Sequence, residues 1–354
     1  MRIARHAAAG ILALALSATA IIPASAQAPV ELSAPTTQPA AKAAPKPAPR
    51  KPAPTQAAAP APPPAVPRRE ADVAYGAYQR GYYITAFAAA TRRADEQKDV
   101  KAMTLLGELY ANGLGVERDD KKAAEWYRLA ADRGDREAMF ALAMLHFSGR
   151  AGAVDREQGA KLLAAAAKLG NAPAAYDLAL LYIEGQLFPQ DFARAAELFR
   201  SAAQLGNPEA QYALATLYKE GRGVPKDLAE AARLLAAASL ADNIDAQVEY
   251  AIALFNGSGV PRNEPVAAAL LKKAARKGNA IAQNRLANVL AVGRGVPADT
   301  VAAIKWHLVA KAGGVGDIPL DTFVQKQTPE IRAAGEKAAK PWLDAIKEAR
   351  EQRS

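Results

Sequence analysis

The chain repeats itself every 36 residues. A glycine recurs at Gly113, Gly149, Gly185, Gly221, Gly257 and Gly293. Six residues later stands an acid or its amide: Asp119, Asp155, Asp191, Asp227, Asn263 and Asp299. Alanine holds a third register at Ala130, Ala166, Ala202, Ala238, Ala274 and Ala310. A fourth carries bulk at Trp126, Leu162, Leu198, Leu234, Leu270 and Trp306. A fixed period of this length restricts the fold to stacked copies of one supersecondary unit, none of which buries its apolar face alone. Six copies span residues 101–316.

Each copy reads as two helices, A and B. In the fourth, Ala210, Leu214, Leu217 and Tyr218 follow the three- and four-residue spacing of one helical face, predicting helix A over Glu209–Glu220. Gly221 suits the left-handed position just past a helix end. The stretch GRGVP at 221–225 follows, with Pro225 unable to donate a backbone hydrogen bond and continue the helix. Asp227 is placed to cap helix B, which runs to Leu240. GRGVP recurs at 293–297 and GSGVP lies at 257–261. These stretches follow a helix and lack a Lys-Ser/Thr ending, so they are not phosphate loops. Helix B stops at glycine in five copies; the fourth has Asp242 there, predicting an irregular turn. Small residues at Gly107, Ala143, Ala179, Ala215, Ala251 and Ala287, with the Ala130 register, allow close helix approach.

The segment 102–134, AMTLLGELYANGLGVERDDKKAAEWYRLAADRG, resembles a Sel1-like repeat, a relative of the tetratricopeptide repeat. The resemblance covers all six copies; the second and third depart from the GxGV loop. It implies an all-α fold, a right-handed α-solenoid of antiparallel helix pairs, and a protein that binds other proteins or peptides. Members of the family serve envelope signalling, secretion, motility or surface-polymer assembly, and the chain is similar in architecture to periplasmic exopolysaccharide regulators built from such repeats. Residues 71–100 read as a shortened first pair, giving a solenoid over 71–316. Residues 317–354 fall out of register. Thr328-Pro329-Glu330 is a helix start, and Ile331, Ala334, Ala338, Trp342 and Ile346 form an apolar stripe with an expected kink at Pro341. A solenoid leaves the core side of its last repeat open unless something covers it. The tail is read as that cap; a separate partner-binding helix is the alternative.

Ahead of the repeats, Arg2 and Arg5, the apolar run 7–22 and Ala24-Ser25-Ala26 form a secretory signal peptide, with cleavage expected after Ala26 and a periplasmic destination. A membrane anchor is disfavoured by the shortness of the run. Residues 27–70 contain 13 prolines, a composition expected to be disordered with polyproline-II character. Six basic residues here oppose Glu31 and Glu70, so of the net +9 only +3 falls on residues 71–354. The charge gives no reason to expect nucleic acid. It permits a plain tether or weak contact with anionic lipid or cell-wall polymer.

Nothing points to catalysis, a cofactor or a metal. The chain has no cysteine. His6 lies in the leader, His146 takes the seat of Tyr110, Tyr182 and Tyr218, and His307 takes that of Tyr127 and Phe199, so both read as packed rings. A β-lactam hydrolase, an activity claimed for cysteine-rich relatives, is left without cysteines or a nucleophile.

The partner-binding candidates form a second stripe on helix A. At about 100° per residue, Tyr212, Thr216 and Lys219 fall nearly opposite the core side. The same seats hold Phe140, Met144 and Phe147 in the second copy, Tyr176, Leu180 and Ile183 in the third, and Val248, Ile252 and Phe255 in the fifth. The outer copies carry polar or small residues, Thr104, Glu108 and Ala111, then Asn284, Asn288 and Ala291. In tetratricopeptide-type stacks helix A lines the concave surface, so the stripe predicts a groove for an extended peptide or amphipathic helix, anchored at Phe140, Tyr176 and Tyr212. A superhelix that buries helix A on both sides is the competing expectation. The expected role is a non-catalytic periplasmic scaffold for a protein or peptide of the cell envelope. The alternative is a glycan binder whose tyrosines stack on cell-wall or exopolysaccharide sugars.

Overall fold

The computed structural model describes residues 73–352. The leader and the proline-rich segment lie outside these residues. The described residues form sixteen α-helices and no strand. A short pair, α1 (Val73–Gln79) and α2 (Tyr83–Gln97), precedes the repeats. The helix A members are α3 (Val100–Asn112), α5 (Arg136–Ser148), α7 (Ala172–Glu184), α9 (Pro208–Glu220), α11 (Ile244–Asn256) and α13 (Ala280–Val292). Their helix B partners are α4 (Asp120–Ala131), α6 (Arg156–Lys168), α8 (Phe192–Gln204), α10 (Leu228–Leu240), α12 (Glu264–Arg276) and α14 (Thr300–Ala312). Two helices follow, α15 (Ile318–Gln325) and α16 (Pro329–Glu351). From α1 to α14 each helix packs on its predecessor and successor, the one-dimensional stacking of an α-solenoid.

The recurring residues do what their chemistry suggests. Asp119, Asp155, Asp191, Asp227, Asn263 and Asp299 cap helix B, their side chains accepting from backbone N–H groups of the first turn. A second capping register starts helix A at Asp99, Asp135, Asn171, Asn207, Asn243 and Asn279. Every alanine of the Ala130 register is fully buried. A Cβ on Gly107 would stand 2.6 Å from the Tyr127 ring, which explains the smallest residue at that seat. Gln211, Gln247 and Gln283, again 36 apart, donate from Nε2 to carbonyls of Ala203, Ser239 and Ala275 on the preceding helix B.

The GxGVP loops are joints. A Cβ on Gly223 would lie 2.2 Å from the backbone of Phe192, and one on Gly259 would lie 1.9 Å from the Leu228 carbonyl oxygen. The second glycine therefore lets each loop sit against the first turn of the preceding copy's helix B.

The turn at Asp242 is regular, contrary to expectation. Asp242 takes φ +65°, the same left-handed region as the glycines at its seat in other copies. Aspartate tolerates that region better than most side chains. Its carboxylate is held by Lys273 at 2.6 Å and Lys277 at 3.2 Å.

The last repeat is covered by α16, which packs along α14. Gly335 sits against Ile304, where a Cβ would come within 2.4 Å of its Cγ2. Ala339 is fully buried, and the Trp306 and Trp342 rings meet edge to face at 5.0 Å. The helix runs unbroken through Pro341.

Candidate functional site on the helix A face

Ten of the twelve stripe residues are half-buried: Phe140, Met144, Phe147, Tyr176, Leu180, Ile183, Tyr212, Thr216, Lys219 and Ile252. They lean on the core while keeping an outer edge in solvent. Val248 and Phe255 belong to the core, at 4% and 8% exposure, so the fifth copy offers a groove only Ile252. Phe255 is covered from the next copy: the Arg294 guanidinium lies 5.0 Å from its ring centroid and donates to its carbonyl oxygen at 3.2 Å. Phe147 packs over α6, where a Cβ on Gly159 would come within 2.8 Å of its ring.

The centre of the stripe is aromatic. Tyr176 rests its ring on buried Phe199 at a centroid separation of 5.5 Å. The hydroxyls of Tyr176 and Tyr212 have no hydrogen-bond partner among the described residues. Burial, then the negative charges of Asp177 and Glu209, pushes the Tyr176 hydroxyl up to about 12. Tyr212 is raised too, by burial first and then by Glu249, Asp245 and Glu220. Lys219 is bound to Glu249 at 2.9 Å across the α9–α11 step.

These acids are features the stripe alone does not reveal. The central A helices α7, α9 and α11 carry Asp177, Glu184, Glu209, Glu220, Asp245 and Glu249 against the single cation Lys219. Reading charge at the remaining seats of the 36-residue register would have found them. Asp177 is half-buried and its carboxyl is pushed up to about 7 by burial.

His307 is buried, as its seat implies, with Nε2 2.8 Å from the Asp321 carboxylate. His146 is half-buried within α5. Neither hydrogen-bonds to Tyr176 or Tyr212, and among the described residues no group of three His, Asp or Glu is placed to hold a metal ion.

Stacked antiparallel helix pairs with one unmatched face define a solenoid class whose business is contact with other macromolecules. Six consecutive segments, 100–135, 136–171, 172–207, 208–243, 244–279 and 280–315, match the Sel1 repeat, and the chain belongs to the Sel1 repeat family. The matched units begin one residue before the boundaries read from the sequence. The chain is similar to a Sel1 repeat protein from Oxalobacter formigenes, with a TM-score of 0.58 and 27% identity over 68% of this chain and 97% of that one. It is similar also to c5321, a protective antigen of uropathogenic Escherichia coli with the same repeat fold, with a TM-score of 0.53 and 27% identity over 77% of this chain and 67% of that one. No curated protein matches the chain. Sel1 repeats generally mediate protein–protein interaction, and the fold is generally non-enzymatic. No described helix is long and apolar enough to cross a membrane.

Proposed function

We propose that the protein is a non-catalytic periplasmic adaptor that holds a peptide or helix of an envelope signalling or assembly partner on its helix A face. The observation that carries this is the half-buried run Phe140, Tyr176, Leu180 and Tyr212, apolar side chains anchored in the core with their outer edges uncovered. Such spaced anchors suit an extended or helical segment better than a compact ligand. The leader at 1–26 supports the compartment, and the proline-rich segment 27–70 supports a spacer role.

The test is site-specific photo-crosslinking in the full exported chain. A benzophenone amino acid at Tyr212 is expected to capture one defined envelope protein. The same residue at Lys161, exposed on α6, is expected to capture none. Equal capture at both positions, or none at Tyr212, removes the reading. The unpartnered tyrosine hydroxyls also favour a second reading, a glycan binder. Cosedimentation with purified peptidoglycan that is lost in Tyr212→Phe would support it, since stacking survives that change but a hydroxyl contact does not.

A further inference from the structure

The central helix A face is acidic in a protein whose overall charge is +9. The asymmetry is organised by element. Helices α6, α8, α10 and α12 hold nine basic residues against four acidic ones, whereas α7, α9 and α11 hold six acids and Lys219. The two sides of one stack therefore present opposite signs.

Most of these acids are already committed. Glu249 is bound to Lys219, Glu184 faces Arg156 at 3.4 Å, Glu220 faces Arg222 at 3.4 Å, and Asp245 accepts from Asn279 at 3.3 Å. Asp177 and Glu209 differ. Neither has an ion pair or hydrogen bond among the described residues, and both are half-buried. They sit on consecutive A helices, α7 and α9. Both carboxylates are near enough to help raise the Tyr176 hydroxyl. An unpaired, partly desolvated carboxylate is an unfavourable arrangement that a fold of this regularity could have avoided with alanine, as it does at Ala141 and Ala213, the Asp177 seat of the neighbouring copies.

We infer that the segment held on the helix A face is basic, and that a lysine or arginine of it lies between Asp177 and Glu209, over the Tyr176 ring, while apolar side chains of the same segment occupy the stripe at Leu180 and Tyr212. This rests on the adaptor reading and adds the chemistry of the partner. Three interactions converge there. The two carboxylates supply opposite charge, the tyrosine faces supply cation–π attraction, and the neighbouring apolar residues cover the aliphatic stem of the basic side chain. The surrounding committed acids raise the negative potential that draws such a segment in.

The experiment uses the full mature chain and a fluorescently labelled amphipathic peptide of leucine and lysine as probe, with a second peptide in which glutamate replaces lysine. Fluorescence anisotropy is expected to show binding of the lysine peptide that weakens steeply with salt, and no binding of the glutamate peptide. Asp177→Asn with Glu209→Gln is expected to weaken the lysine peptide about tenfold, the scale of losing a partly desolvated charge pair. Glu157→Gln with Glu197→Gln, on α6 and α8, is the control and is expected to leave affinity within about twofold. Equal affinity of the site variant and the control variant, or equal binding of the two peptides, overturns the inference. Circular dichroism melts of both variants exclude unfolding as the cause of any loss. The crosslink from Tyr212 separates this inference from the adaptor reading. If capture in cells continues at full yield in Asp177→Asn with Glu209→Gln, the basic partner is wrong and the adaptor stands. If the wild-type background captures nothing, both fall.

Discussion

Asp177 shows what a single side chain costs the fold. Burial with no cation or donor beside it raises its carboxyl to about 7, against an ordinary value of about 3.9 in an unfolded chain. Between those values the folded state holds the proton that the unfolded state has released. Stability therefore falls as pH rises through that window, and is regained as pH drops below it. Asp177→Asn is expected to melt higher than the wild type near pH ~8, with the advantage gone near pH ~2.5, below both values, where both states of the wild type are protonated. Equal melting temperatures at both pH values would show the carboxylate to be well solvated. At this scale the sequence was legible for seats but not for neighbours. The helical period places Tyr176 and Tyr212 together on one line nearly opposite the core side. It cannot see Arg294 arriving from the next copy to cover Phe255, because a helical projection contains only its own helix. Asp242 was misread for a similar reason. Its left-handed backbone is compensated by Lys273 and Lys277, which are distant in sequence.

The helix pair is the scale at which the sequence speaks most fully. Helix boundaries followed from apolar spacing, terminating glycines and capping aspartates, and the helices run where those signals put them. The second capping register was missed because it changes from Asp in the first two copies to Asn in the other four, so identity of residue hides identity of role; both offer an acceptor oxygen. The loops were understood as stops for helix A. Their other task, docking on the preceding helix B, depends on approach between backbones and leaves no trace beyond the second glycine. Gly259→Ala is expected to destabilise the protein by roughly 2–4 kcal/mol, combining a backbone clash with left-handed strain. Gly278→Ala has the strain without the clash, since nothing lies within 4 Å of that position. Thermal melts of the two compared directly isolate the docking contribution, and equal losses would remove it.

For the molecule as a whole, stacking between neighbours makes stability local. Removing residues 329–354 uncovers Ile304 and Trp306, which Gly335 and Trp342 now cover. Hydrogen exchange is expected to quicken in α13 and α14 of the truncated chain while α3 to α8 keep their protection. Uniform loss of protection along the solenoid would mean that it unfolds as one unit. The GxGVP joint carries a further consequence. In the fourth, fifth and sixth copies its second glycine lies against backbone atoms of the helix before it, at Phe192, Leu228 and Glu264. At that glycine the contact is with backbone, which any sequence supplies, while Arg222 and Arg294 of the loops add contacts to Phe192 and Glu264. Copies can be duplicated, lost or exchanged in whole units, and the helix A face can diversify residue by residue, without renegotiating how one unit is fastened to the next. Interchangeable parts let a binding surface drift while its frame stays true.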